Sequence, residues 1–182
     1  MTVHRHILAL CAVLMFLGGT ACPAQPRLRF DGVALRGSLP KMTVRLQKAG
    51  WNLTEEGDRV NVFSGRWMGR DGVTLTVIED ERAAAVTDLG ALVPCELDWR
   101  DIESAWKQAV EILTGEYGRP ASCESRFPAG AVESDAAKLI YIQNDKCFYR
   151  AMWHTDAGDI LAKPVFVPYA YYILVRYSAS RR

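Results

Sequence analysis

The sequence predicts an α+β protein in which two helices pack on an antiparallel sheet. Two segments carry apolar residues at helical spacing between residues that favour helix ends. Several shorter segments alternate apolar and polar residues, as half-buried strands do. The strands follow one another in runs instead of alternating singly with helices, which argues against a doubly wound fold. The chain of 182 residues is long enough for one domain with an adequate core.

The first half of the domain is predicted to contain one helix and three strands. The helix starts at Ser38, a favourable N-cap with Pro40 in the first turn, and ends at Gly50. Glycines at both ends of the 69–72 segment favour a tight turn, because glycine readily adopts positive φ. The predicted strands are 60–67, 73–77 and 83–93.

The second half is predicted to contain one helix and four strands. Asp98 caps the helix, its apolar residues fall on one face, and Gly118 and Pro120 end it. After a loop over 121–134, the predicted strands are 138–143, 147–154, 160–167 and 169–177. The stretch 63–72 is echoed by 148–158, each carrying a Phe, a Trp and an Asp-Gly-type turn. A tandem repeat of an α-βββ unit is therefore a hypothesis.

The first 21 residues have the features of an export signal. Arg5 precedes an uncharged apolar stretch over 7–17, which is too short to span a bilayer, and small residues occupy 18–21. Cys22 follows directly, so the position fits lipidation of this cysteine, although the usual leucine of a lipoprotein box is missing. The alternative is ordinary cleavage after Ala21 or Ala24, which would release a free secreted protein.

These features divide the chain into a signal peptide (1–21), a proline-containing tether (22–29) and a single α+β domain (30–178). We expect the mature protein in the periplasm or at the outer membrane as a lipoprotein, or else secreted. As a lipoprotein, its only contact with a membrane would be the lipid anchor. No later segment is long and apolar enough to form a spanning helix.

Three cysteines follow the predicted tether, and export would place them in an oxidising compartment. We favour a disulfide between Cys123 and Cys147, because both lie near the edges of predicted elements in the same half of the chain. Cys95 would then stay a free thiol. If the signal is removed after Ala21 without lipidation, Cys22 remains as a fourth thiol and three pairings are open.

Composition argues against several classes of function. The 22 basic and 21 acidic residues give a net charge of +1, so the chain has no basic footprint for nucleic acid. Outside the signal, His154 is the only histidine, and no pattern of metal ligands or phosphate-binding glycines occurs. The sequence therefore predicts no metal, no cofactor and no catalytic residue set.

Aromatic and basic residues near two hairpin tips form the predicted binding patch. Arg66, Trp67 and Arg70 lie at one tip, and Trp153 and His154 at the other. Arg and Trp are enriched at the centres of protein interfaces. The last strand, 169–177, carries aromatic and aliphatic residues on both sides, and core packing is the expected role of that strand.

Three stretches resemble uncharacterised secreted and lipoprotein-like proteins of gut Bacteroidetes: 30–39 before the first helix, 48–51 after it, and 116–120 after the second. The resemblance implies a shared fold and indicates no activity. The order of elements also resembles β-lactamase-inhibitor proteins and small outer-membrane assembly lipoproteins. That likeness implies binding to another protein without catalysis.

The leading prediction is an exported, lipid-anchored envelope protein that acts as a non-enzymatic protein-binding or assembly module. Its partner, a protein or another envelope component, would meet the sheet face or the hairpin tips. One alternative is a small extracytoplasmic thiol enzyme or hydrolase that uses His154 with a cysteine. Another is a glycan-binding envelope protein, since aromatic side chains can form a sugar platform.

Overall fold

A computed structural model of the protein describes residues 27–180, and its fold is α+β with an antiparallel sheet. The helices are α1 (Leu39–Lys48), α2 (Trp99–Tyr117) and α3 (Asp135–Gln143). The strands are β1 (Arg29–Phe30), β2 (Val33–Ala34), β3 (Asn52–Glu56), β4 (Val60–Trp67), β5 (Arg70–Asp80), β6 (Ala85–Cys95), β7 (Ser122–Glu124), β8 (Arg150–Thr155), β9 (Gly158–Phe166) and β10 (Tyr171–Ala179).

Strands β3 to β10 form one sheet in the order β3-β4-β5-β6-β10-β9-β8-β7, and β1 with β2 forms a separate hairpin. The last strands of the two halves, β6 and β10, meet at the centre of the sheet. Their pairing runs from Tyr171 opposite Cys95 to Ser178 opposite Asp88. The edge strand β3 contains a register shift and β7 has only 3 residues, two features that discourage pairing with another chain.

The helices cover one face of this sheet, and the core lies between them and the strands. Contacts of α1 fall on β3 to β6, those of α2 on β6 and β8 to β10, and α3 packs against α2 and β9. One row of paired residues crosses the covered face, and every member is 0% exposed: Phe63, Leu75, Ala91, Val175, Ala162 and Ala151. The core is therefore continuous across both halves of the chain.

The boundaries of α1 agree with the prediction. Ser38 has extended backbone angles, Pro40 occupies the first turn, and Gly50 ends the helix with φ +96°. The backbone N–H of Trp51 then donates to Leu46 O at 3.0 Å, and this bond turns the Trp51 indole back over the sheet. A Cβ atom on Gly65 would lie 2.7 Å from that indole, so the tight packing of Trp51 requires glycine at this position of β4.

The boundaries of α2 are also confirmed. The Asp98 side chain accepts a hydrogen bond from Arg100 N–H at 3.2 Å, and Gly118 follows the helix with φ +79°. The apolar residues predicted for one face are buried, as at Ile102 and Leu113. Tyr117 OH donates to Arg29 O at 2.6 Å, which joins the end of α2 to the β1–β2 hairpin.

The prediction of a strand over 138–143 was wrong, because this segment lies in α3. Ser134 Oγ accepts from Ala137 N–H at 3.3 Å and begins the helix. The short apolar run 139–142 fits a strand and a helix equally well in sequence, and only Ile142 in it is fully buried. The described residues therefore contain three helices where two were predicted.

Two edge strands and the start of the domain also differ from the prediction. Neither β3 nor β7 was predicted, because their residues are mostly exposed and show no regular alternation. The predicted tether ended at residue 29, yet Leu28 is 2% exposed and belongs to the core. The signal peptide and Cys22 lie outside the described residues.

Candidate binding surface

The predicted patch of aromatic and basic residues is not a single exposed surface. Trp67 is 8% exposed and Trp153 is 1% exposed, and both lie on the covered face. Arg66 and His154 are exposed at different hairpins, with side-chain exposures of 68% and 59%. The other three tryptophans are buried as well: Trp51, Trp99 and Trp106. A sugar platform of exposed indoles is therefore not present among residues 27–180.

Arg70 has a structural role at the end of the sheet. Its guanidinium donates to both carboxylate oxygens of Asp101, at 2.9 and 2.6 Å, and to Pro94 O at 3.1 Å. Asp101 also accepts from Glu96 N–H at 2.8 Å. The hydrogen bond from Arg70 lowers the pKa of Asp101. These contacts join the β4–β5 hairpin, the end of β6 and the start of α2.

The cysteines do not have the surroundings of a catalytic thiol. Burial raises the pKa of Cys95 to about 12 and also raises the pKa of Cys147. A nucleophilic cysteine needs the opposite shift, toward a thiolate at neutral pH. Cys123 is exposed, but it pairs with Ala151 on the covered face, whereas His154 lies on the opposite face by strand alternation.

The predicted disulfide is not formed in the structure, where Cys95, Cys123 and Cys147 are free thiols. Cys123 lies opposite Ala151 in β8. The antiparallel alignment continues beyond these strands, where the backbone N–H of Phe148 donates to Arg126 O. The register therefore puts Cys147 several residues away from Cys123, and a bond between them would require this register to shift.

His154 lies on the uncovered face beside a carboxylate. Its Nδ1 is 2.8 Å from Asp159 Oδ1, and both side chains are more than half exposed. It borders a shallow cavity together with Glu116, Tyr117 and Thr155, and no cysteine lines that cavity. In the described part of the chain, no three His, Cys, Asp or Glu side chains are grouped so that they could hold a metal ion.

The face of the sheet opposite the helices, here called the open face, is covered by no helix among residues 27–180. Lys163 lies directly opposite Leu174 on this face, whose centre otherwise consists of half-buried apolar side chains on the three strands β6, β10 and β9. These apolar residues, here called the apolar centre, are Leu92, Pro94, Leu161, Val165, Tyr172 and Leu174. A Cβ atom on Gly90 would lie 4.0 Å from Leu174 Cδ1, so Leu174 rests beside a small residue on this face.

Charged side chains around the apolar centre are paired with one another. Arg176 Nη2 donates to Asp88 Oδ1 at 2.8 Å, and Lys163 Nζ donates to Asp145 Oδ1 at 3.2 Å. Further ion pairs on this side are Arg150 with Glu124 and His154 with Asp159. The open face therefore has an apolar middle and a border whose charges largely cancel.

The sequence contained one signal of this surface. Tyr172, Leu174 and Arg176 alternate with the core residues of β10, and that alternation predicts a second, partly apolar face. The pairing of β6 with β10, which brings Leu92 and Pro94 beside them, joins residues about 80 positions apart in the chain and has no local signal.

Comparisons with known proteins give no relative: the chain matches no protein-family model, no curated protein and no solved structure. In addition, no helix among residues 27–180 is long and apolar enough to cross a membrane.

Proposed function

We propose that this chain is an exported, lipid-anchored envelope protein that binds another protein through the open face of its sheet and catalyses no reaction. One observation supports the proposal most directly. Among residues 27–180, helices cover one face of the eight-stranded sheet, and the other face has an apolar centre with paired charges around it. Membership of the secreted Bacteroidetes family is part of the same proposal.

The chemistry of the open face favours a protein partner. Contiguous apolar side chains on a protein surface often mark an interaction site, since their transfer from water favours association. Because the bordering charges are paired within the protein, the surface offers no excess of either sign to a nucleic acid or an anionic membrane. For the part of the partner that would cover the apolar centre, an uncharged, apolar surface fits best.

The arrangement of the sheet suggests that two similar units build this surface. A helix followed by four strands occurs twice, as α1 with β3 to β6 and as α2 with β7 to β10, the second unit containing α3 as an insertion. The echoed stretches correspond to the β4–β5 and β8–β9 hairpins, which are the second and third strands of each unit. We propose a tandem repeat whose final strands, β6 and β10, carry most of the apolar centre.

The proposed anchor would leave only a short tether between the membrane and the domain. Leu28 is already part of the core, so residues 23–27 would separate a lipidated Cys22 from the folded domain. Intact mass of the protein from its native host tests the anchor. A diacyl or triacyl increment on a chain that begins at Cys22 is the expected result, and an unmodified chain would remove the anchor from the proposal.

Binding through the open face is tested by a photoreactive phenylalanine placed in the full-length chain in its native host. At Leu174 and at Leu161, on the open face, we expect a crosslink to one protein of defined mass in the envelope fraction. Gln108, exposed on the helix side, is the matched control and should give no such product. Equal products from both faces, or none from the two leucine positions, would refute the proposed interface.

A further inference from the structure

Tyr169 is an unusual residue at the end of the open face. It lies in the turn between β9 and β10 and is 94% exposed, the highest value among the large apolar side chains of residues 27–180. Its φ is +64°, a conformation that costs energy for a bulky residue and that glycine adopts freely. A strained, fully exposed aromatic at a turn contributes nothing evident to the fold and is typical of a functional position.

Leu97 lies at the same end of the sheet. It follows β6 by two residues and is 76% exposed, and the last pair of β6 with β10 is Cys95 with Tyr171. Leu97 and Tyr169 are thus each two residues beyond that pair. The Arg70–Asp101 ion pair and the bond from Glu96 N–H to Asp101 hold the Leu97 segment in place, so little ordering would be needed on binding.

Two carboxylates flank Leu97, and unlike the charges of the open face they form no close ion pair within the described part of the chain. Glu96 and Asp98 are exposed and lie outside the close ion pairs found among residues 27–180, although the charge of Glu96 is near enough to Arg70 to help raise the pKa of that guanidinium. The Asp98 carboxylate accepts a hydrogen bond from the backbone N–H of Arg100. The charges around the apolar centre form close ion pairs, whereas the Glu96 and Asp98 carboxylates are exposed beside two exposed apolar side chains, with Arg70 and Arg100 nearby.

This end, here called the tip and consisting of 96–98 and 167–170, lies beyond the apolar centre along the same two strands, β6 and β10. The Tyr172–Pro94 pair belongs to the open face, and one further pair, Tyr171 with Cys95, separates it from the tip. Val167, in the same turn as Tyr169, is 43% exposed. A partner that lies on the open face would therefore also reach the tip.

We infer that the tip is the anchor of the proposed interface and that its partner is a protein with an apolar pocket rimmed by basic side chains. Tyr169 and Leu97 would enter the pocket, since tyrosine buries a large area at low entropic cost. Glu96 and Asp98 would face the basic rim and orient the encounter. This inference rests on the proposed function, because it concerns the same partner as the open face.

The experiment measures the crosslink yield from the photoreactive phenylalanine at position 174. It is measured in the parent chain and in three variants that each carry one further substitution. Tyr169→Gly removes the aromatic and relieves the backbone, so we expect a melting temperature equal to or above that of the parent and a crosslink yield reduced about tenfold or more. Glu96→Lys should also reduce the yield. Glu111→Lys, the same charge change at an exposed position of α2, is the control and should leave the yield unchanged.

The two proposals fail in different ways. A full crosslink from position 174 in both Tyr169→Gly and Glu96→Lys would overturn the tip as the anchor and leave the open face as the interface. A lower melting temperature of Tyr169→Gly would assign Tyr169 a structural role and also count against the tip. No crosslink from position 174 in the parent chain would refute the interface itself, and with it the tip.

Discussion

The two faces of the central sheet use the same strands for different purposes. On the covered face, the row from Phe63 to Ala151 crosses six strands with no exposed surface. On the open face, the neighbouring rows mix leucine and valine with threonine, glycine and paired charges, and their apolar residues stay half-buried. Successive residues of β10 therefore belong to the core and to the candidate interface in alternation.

This difference separates residues that hold the fold from residues that are free to serve a partner. Burial of a side chain on the covered face removes it from water completely, whereas an open-face side chain keeps part of its hydration in the unbound protein. The free energy still available on the open face is what a partner would gain. The faces should thus respond oppositely to mutation, one in stability and the other in binding.

Adjacent residues of β10 give the largest contrast. Ile173 is 0% exposed on the covered face, and its replacement by alanine should lower the free energy of unfolding by about 2–4 kcal/mol, because it removes buried methyl groups and leaves a cavity. Leu174 faces the open side, and Leu174→Ala should cost less than about 1 kcal/mol. Urea unfolding of the two variants measures both values.

The same pair also tests binding. The crosslink from position 161 should persist at moderate strength in Ile173→Ala as long as that variant is folded, and should be strongly reduced in Leu174→Ala. Equal losses of stability in the two variants would mean that the open face is packed as a core, and the distinction between the faces would be lost.

Two glycine-to-alanine substitutions should change stability by a smaller amount, and with opposite signs. Gly65→Ala places a Cβ atom 2.7 Å from the Trp51 indole on the covered face, and we expect a loss of about 1–3 kcal/mol from the forced repacking. Gly115→Ala, in the exposed part of α2, meets no atom within 4 Å and should increase stability by about 0.5–1 kcal/mol through helix propensity. Thermal unfolding of both variants gives the signs, and a neutral Gly65→Ala would contradict the tight packing of Trp51.

The Arg70–Asp101 pair, which supports the tip, should make a smaller and pH-dependent contribution. Arg70 holds the pKa of Asp101 below its usual value in the folded state, so the stabilisation is complete above the unfolded pKa of about 4 and is lost as pH falls through the folded pKa. Asp101→Asn should cost about 1–2 kcal/mol at pH 7, since it breaks a charged hydrogen-bonded pair.

Unfolding free energies measured from pH 7 down to pH 2 should show the gap between Asp101→Asn and the parent closing below about pH 4. Asp71→Asn is the control, because Asp71 is 83% exposed and its contact with Arg66 is 3.7 Å long. Its effect should be small at every pH. A gap for Asp101→Asn that did not change with pH would assign its effect to packing and not to the ion pair.

The sequence predicted the parts of the fold that depend on local chemistry. Ser38 and Gly50 mark the ends of α1, although the Ser38 side chain makes no capping hydrogen bond, and Asp98 and Gly118 mark α2, because helix ends depend on one or two residues. The segment 138–143 was misassigned because four successive apolar residues satisfy either period. The edge strands were missed since exposed strands bury no face and so have no alternation to detect.

The candidate site was much less predictable. Tryptophan and arginine at hairpin tips suggested an interface, yet Trp67 and Trp153 fill the core and Arg70 serves as a clamp. The open face depends on which strands meet, and the β6–β10 pairing is set by the packing of the whole sheet. Tyr169 was predicted to extend the last strand, and its backbone angle and exposure distinguish it from Tyr171 and Tyr177, the core tyrosines of β10.

The smallest predicted effect concerns thiol reactivity. It compares the partly buried Cys95 and Cys147 with the exposed Cys123. Cys95 and Cys147 are partly buried with raised pKa values, whereas Cys123 is exposed on the edge strand β7. In the reduced folded domain, a chromogenic disulfide reagent at pH 8 should modify one thiol quickly and the other two only on unfolding, because the thiolate is the reacting form. Cys123→Ser should abolish the fast phase. A rapidly reacting Cys95 or Cys147 would revive the thiol-enzyme alternative, and the absence of any fast thiol in the unreduced protein would favour a disulfide at Cys123.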